Sequence, residues 1–167
     1  MITTVTLNPC IDRTVYVDTL TVGGHHRAQQ SLSQVGGKGL NVSTVLAHLG
    51  VDTLCTGLNY TGDAAVIPSM LEQQQIPGRF LEVPGQLRVN LKLTEHSGRM
   101  TEINEQGTAA AEDTSDRMLD LLRALLPDTE LLVVSGSVPP GIRPTIYAEM
   151  IALARAAGVR TVLDASG

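Results

Sequence analysis

The chain has no tryptophan and a single phenylalanine, and aromatic residues make up 2% of it. A platform on which nucleobases could stack is therefore missing. Basic runs are missing too: Lys and Arg number 12 against 17 Asp and Glu, a net charge of -5, which argues against nucleic acid as a partner. No window approaches the roughly 18 apolar residues of a membrane span. Met1–Leu7 carries no basic segment ahead of a long apolar stretch, so no signal peptide is legible. The two cysteines, Cys10 and Cys55, lack metal-ligand spacing and are too few for a disulfide framework. His25, His26, His48 and His96 show no ligand spacing either, so no metal site is expected in this chain. The pattern fits a cytoplasmic protein with reduced thiols and no membrane partner.

What is present is a core-forming composition: 43% hydrophobic and 17% charged residues over 167 positions, enough for one globular domain. Ile2–Leu7 reads as a β-branched strand ended by Asn8-Pro9. Residues 13–20 alternate apolar and polar. From Gly39 the period changes: Val42, Val45, Leu46 and Leu49 share a helical face, and Gly50 stands where a C-terminal cap belongs. A strand is predicted at 51–56 and a helix at 64–75, with Pro68 tolerated only near its first turn. Gly62-Asp63 reads as a turn with an aspartate capping that helix. Two alternating segments, 87–95 and 100–105, flank Ser97-Gly98 as a hairpin. A helix opened by Thr114 or Ser115 follows, with Met118, Leu119, Leu122, Leu125 and Leu126 on its buried stripe. Leu131–Val134 is a strand covered on both faces, and a helix at 144–157 leads to a last strand at 159–163. Strands alternating with helices predict an α/β fold with a parallel sheet and right-handed crossovers. The strands around 13–22 and 87–105 differ in kind and read as a small β-sheet lid.

Four places carry chemistry. Gly36-Gly37-Lys38-Gly39-Leu40-Asn41 starts a helix; its glycines admit close approach and the helix start favours anions or hydroxyl oxygens, although a flexible turn feeding a helix reads the same way. It is neither a Walker A loop nor a dinucleotide fingerprint. Asp12 lies past the first strand, at the carboxyl end where ligands of open α/β sheets bind, and it is equally compatible with a plain turn aspartate. Arg88, Asn90 and Lys92 alternate on one strand and share a face suited to a phosphate, or to a solvated edge. Asn104 on the next strand faces the same space. Ser135–Gly141 follows a buried strand with hydroxyls, glycines and stiffening prolines.

These pieces, in this order, resemble the PfkB (ribokinase-like) family of carbohydrate kinases over the whole chain. Thr6–Pro9 with Asp12 resembles the family's opening strand and substrate aspartate, and Gly36–Asn41 with Gly50 and Gly62-Asp63 resembles its first signature. Ser135–Gly141 is similar to the loop of the phosphofructokinase-type branch, and Leu163–Gly167 to the strand after it. Arg88–Glu95 followed by Thr101–Asn104 most resembles the 1-phosphofructokinases, tagatose-6-phosphate kinases sharing the framework. Leu87 stands where the family often has Thr, and His25 where some members have Lys.

The resemblance implies a ribokinase-like sandwich with a β lid, and a homodimer whose lids clasp each other. It implies ATP-dependent phosphorylation of a sugar phosphate, fructose 1-phosphate to fructose 1,6-bisphosphate, with tagatose 6-phosphate or fructose 6-phosphate as alternatives. ATP and Mg2+ would be the full enzyme's cofactors. Asp12, Gly37 and Asn41 would hold the sugar hydroxyls and Arg88 and Ser137 would lie near the substrate phosphate, with Gly36, Lys38 and Asn90 also substrate-binding and Arg27, Lys92 and Asn104 as secondary candidates. Residues 1–167 would be the N-terminal part of the kinase domain; the C-terminal nucleotide-binding half and its catalytic base are expected to be absent, leaving the chain inactive alone. Two rivals remain: a non-catalytic sugar-phosphate-binding or dimerisation module, and a fragment with no function of its own.

Overall fold

β1 (Ile2–Thr6) is a buried strand rich in threonine, and it is stable there because its hydroxyls are satisfied. Thr3 pairs with Thr129 at 2.7 Å, and Thr4 bonds Ser43, which bonds Thr53 in turn. In the computed structural model, which describes residues 1–165, β1 is the centre of a five-stranded parallel sheet. Its neighbours are β4 (Thr53–Tyr60) on one side and β8 (Leu131–Ser135) on the other, with β5 (Gly78–Val83) and β9 (Arg160–Asp164) at the edges. Connecting helices are α1 (Lys38–His48), α2 (Val66–Gln73), α3 (Thr114–Leu125) and α4 (Ile146–Ala156).

The chain first moves from β1 through β4 to β5, then jumps back across to β8 and β9. Right-handed crossovers therefore put α1 and α2 on one face and α3 and α4 on the other. The reversal makes the gap between β1 and β8 the switch point, where open α/β sheets bind ligands beyond their carboxyl ends. Leu40, Ile67 and Leu71 fill one side of the core, and Met118, Leu122, Ile146 and Met150 the other.

The second sheet is mixed, in the order β3-β2-β6-β7, where β2 is Cys10–Val17, β3 Gln30–Gly36, β6 Arg88–Glu95 and β7 Met100–Asn104. β2 leaves the carboxyl end of β1 and β6 leaves the carboxyl end of β5. Two strands that exit the same edge of a parallel sheet run the same way, so β2 and β6 pair in parallel. β3 and β7 return antiparallel beside them. The lid thus begins at Cys10, earlier than expected, and residues 18–29 form an exposed loop rather than strand.

Two strands escaped the sequence reading. β3 has only Leu32 and Val35 as apolar side chains and lies mostly exposed, so it carries no alternating signature. β5 is a short edge strand whose polar residues hid it. Asp63 does not cap α2. Its carboxylate accepts the Leu87 N–H at 2.8 Å, while the Gly62 N–H reaches Gly85 O at 2.8 Å, and together they pin the entry to β6. Of the segment Leu163–Gly167, Ser166 and Gly167 lie outside the described residues.

α1 starts directly over the end of β1, and the Leu40 N–H is taken up by Thr6 Oγ1 at 2.9 Å. A Cβ at Gly39 would stand 2.5 Å from both Thr6 Oγ1 and Val5 O. Alanine is ordinarily favoured over glycine inside a helix by about 1 kcal/mol. At this contact the sign reverses, because backbone cannot give way. Gly39→Ala is predicted to destabilise the chain by about 2 kcal/mol, lowering the melting temperature by roughly 4–8 °C in calorimetry; an unchanged or raised temperature would contradict this packing.

Candidate functional site

Register builds the site. Across the lid, Gln34, Asp12, Asn90 and Asn104 fall in one row, and Gly36, Cys10 and Arg88 in the next. Asn90 Nδ2 donates to Asp12 Oδ1 at 3.0 Å, and Asn90 Oδ1 accepts from Arg88 Nη1 at 2.8 Å. Asp12 Oδ2 carries no hydrogen bond among the described residues, and it lies against Gly36, where any side chain would collide with it. Gly36 is thus required by Asp12, and the free carboxylate oxygen can accept a hydroxyl.

Arg88 is held by neutral oxygens alone. Nε donates to Asn8 O at 3.3 Å and Nη1 also reaches Glu105 O at 3.2 Å. No carboxylate pairs with it among the described residues, and Nη2 has no acceptor there. A half-buried guanidinium with a full positive charge and an unspent edge is suited to a phosphate oxygen. Arg88 opens into a cleft of about 540 Å³ lined by Asn8, Glu105, Gln106 and Ser137 with the proline-rich turn after β8. Asn8 Nδ2 donates to Ser137 Oγ at 3.1 Å, which closes the β1–β8 switch point. Glu105, the acidic residue of the cleft, spends Oε2 on the Val89 N–H at 2.8 Å.

Other expected residues are placed apart. Lys38 turns away from the lid and pairs with Asp164 at 3.2 Å. Asn41 is exposed on a separate groove of about 520 Å³ between α1, α2 and β3, which it shares with Gln34. Gly37 precedes α1 at φ 141, a conformation that favours glycine. Lys92 follows Asn90 on the same face, two same-face steps from Arg88, beside Thr14 and Glu102. Arg27 sits in the exposed loop 18–29.

A sequence profile of the pfkB family carbohydrate kinases matches residues 5–167. The chain belongs to the PfkB family. It is 39% identical to a 1-phosphofructokinase of Xanthomonas campestris pv. campestris, covering 98% of this chain and 52% of that protein. It is 34% identical to a tagatose-6-phosphate kinase of Staphylococcus epidermidis, covering 100% of this chain and 54% of that protein. The structure of phosphofructokinase-2 from Escherichia coli in complex with fructose-6-phosphate matches 99% of this chain and 55% of that chain, with a TM-score of 0.86 and 28% identity. The chain thus spans about half the length of the curated relatives it matches.

The candidate site includes residues that the sequence reading did not assign to it. Asn8 and Asp63 were visible only inside the resembled segments and as turn residues, and Glu105 acts through a backbone N–H, which leaves no motif. Cys10 lies beneath the Asp12–Asn90 pair, with Asn90 Nδ2 at 3.2 Å from its sulfur. Burial, followed by the Asp12 charge, pushes its thiol from an ordinary 9.0 up to about 11. It therefore stays neutral at physiological pH and adds no negative charge beside Arg88.

A thiol whose pKa rises on folding binds its proton more tightly in the native state, so its stabilising effect is complete below pH 9 and is lost as pH climbs towards 11. Stability is predicted to fall across that window, less steeply in a Cys10→Ser variant. Denaturant titrations at pH 8, 9.5 and 10.5 measure this. Equal slopes in the two proteins would contradict the placement of Cys10.

Proposed function

We propose that this chain forms the acceptor side of a sugar-phosphate kinase. Asp12, Asn90 and the Gly36-Gly37 turn hold sugar hydroxyls, with Asn41 and Asn104 at the margins. Arg88 and Ser137 take the substrate phosphate, and Lys92 and Arg27 add positive charge around it. The observation that carries this reading is the Arg88 guanidinium, without a carboxylate partner among the described residues, at the cleft that Asn8 and Ser137 complete. Lys38, engaged with Asp164, takes no part in this reading.

Fructose 1-phosphate is the favoured substrate, supported by the 39% identity to a 1-phosphofructokinase together with the resemblance of Arg88–Glu95 and Thr101–Asn104 to that branch. In the reaction the acceptor hydroxyl oxygen bonds the γ-phosphorus of ATP, the bond to ADP breaks, and the hydroxyl proton passes to a base, giving fructose 1,6-bisphosphate. Among the described residues, no three His, Cys, Asp or Glu side chains lie together as a metal site. We assign ATP, Mg2+ and the base to the part of the PfkB length that the relatives carry beyond the matched half. Positioning the nucleotide and its metal dominates phosphoryl transfer, so this chain alone binds without turnover.

Among the described residues no helix is long and apolar enough to cross a membrane. A second copy is proposed to cover the lid. Leu91 and Ile103 are cross-strand partners on the face opposite Asn90, and Ile103 is 56% exposed. Large exposed apolar side chains on an open sheet favour a partner surface.

Calorimetric titration with fructose 1-phosphate, paired with ADP release in Mg-ATP, tests the assignment. Binding is expected, weakened roughly tenfold or more by Asp12→Ala, the scale of one lost charged hydrogen bond, with no ADP release. Turnover would show that the chain completes its own kinase site, and binding indifferent to Asp12→Ala would reject the acceptor assignment. Sedimentation of the same sample should show a dimer; a monomer at tens of micromolar would reject the lid contact.

A further inference from the structure

Asn8 stands at the crossing of three segments. Its side chain is 6% exposed, and Nδ2 donates both to Gln106 O at 3.0 Å and to Ser137 Oγ at 3.1 Å. Chemistry fixes the orientation of this amide. The Gln106 carbonyl can only accept, so the nitrogen must face it, and the same nitrogen faces Ser137. Both N–H groups are then spent, and the Ser137 oxygen is an acceptor from Asn8. Its own proton cannot return to that nitrogen, and no other acceptor takes it among the described residues. Ser137 is exposed at the cleft, so the proton is free for an acceptor within the cleft.

The same residue orients the neighbouring cation, since its backbone oxygen accepts from Arg88 Nε at 3.3 Å and leaves Nη2 unspent. Asn8 Oδ1 is buried with no partner among the described residues. A Cβ on Gly107 would come within 2.6 Å of it, so the segment carrying Gln106 is packed tightly on the amide. A buried amide with an orphan oxygen is unfavourable for folding, and sequences keep few of them.

We propose that Asn8 is a positioning residue that fixes the Ser137 hydroxyl as a donor, and Arg88 beside it, towards the phosphate of a bound sugar phosphate. The inference rests on the sugar-phosphate reading of the cleft. It assigns the polarity of one hydrogen bond: Asn8 gives its proton to Ser137, and Ser137 gives its own to the ligand.

The test is calorimetric titration of the full chain with fructose 1-phosphate at pH 7.5, for the unmutated protein and for Asn8→Ala, Ser137→Ala and the double variant. Each single change is expected to weaken binding roughly tenfold, and the double variant little further, since both remove one donor. Independent losses multiplying to about a hundredfold would overturn the proposal. Asn8→Asp keeps the side chain's shape should Asn8→Ala release the 105–108 segment. Its carboxylate would accept from Ser137 and turn that proton inward, so affinity should fall at least as far as in Ser137→Ala. The deficit relative to the unmutated protein should shrink towards pH 5, as the buried carboxyl takes up a proton and donates again. A purely structural role gives the same pH-dependent deficit when Asn8→Asp is added to Ser137→Ala, whereas action through the Ser137 hydroxyl leaves no further deficit in that background; the former result would reject the assignment. If the unmutated protein binds no fructose 1-phosphate, the sugar-phosphate reading fails and this inference with it. Firm binding with multiplying losses rejects the role of Asn8 alone.

Discussion

The parallel pairing of β2 with β6 sets Asp12 beside Asn90, 78 residues away in sequence, and the site hangs from that register. A slip of one residue would put Asp12 on the face of the lid opposite Asn90 and Arg88. The register is fixed from below. β2 is launched by the turn at Asn8-Pro9, and β6 by the bonds of Gly62 and Asp63 to Gly85 and Leu87. The directions of both strands follow from the main sheet, whose parallel strands deliver both at one edge. The lid is thus an extension of the order in the body, and its polar row inherits its alignment from the threonine-rich core strand.

Electrostatics at the site depends on what is left unpaired. Five other cations have carboxylate partners among the described residues: Lys38 with Asp164, Arg99 with Glu95, Arg143 with Asp116 and Glu149, Arg117 with Asp113, and Arg123 with Asp120. Where such pairs are exposed they contribute little to stability. Arg88 is treated differently. Its bonds go to amide and backbone oxygens, which hold the guanidinium without cancelling its charge. Next to it, burial keeps Cys10 neutral. The outcome is an unpaired guanidinium at the switch point of a protein with net charge -5, where an anion can approach it.

Much of this was legible in the residues. Hydrophobic period marked α1, α3, α4, β1 and β8, because each buries one stripe or a whole strand in the core. The shared face of Arg88 and Asn90 followed from the two-residue period of a strand, and the structure joins them by a hydrogen bond. The glycine turn was visible, but its physical reason was not. Gly36 makes room for Asp12, and Gly39 makes room for Thr6, contacts between segments that no local pattern encodes. β3 and β5 stayed hidden because edge strands bury little, and backbone pairing alone leaves no trace in side chains. Lys38 sits in the motif, yet its partner Asp164 lies 126 residues away, so its direction could not be read from the turn.

The central claim is that one sugar phosphate spans the lid row and the switch-point cleft of this chain. The most direct measurement is a nuclear magnetic resonance titration of the isotopically labelled chain with fructose 1-phosphate, following backbone amides together with the Asn and Arg side chains. The account predicts saturable shifts concentrated at Asp12, Gly36, Asn90, the Arg88 guanidinium and Ser137. Shifts confined to the groove around Gln74–Pro77 at the opposite end of the sheet, or none at saturating ligand, would contradict it.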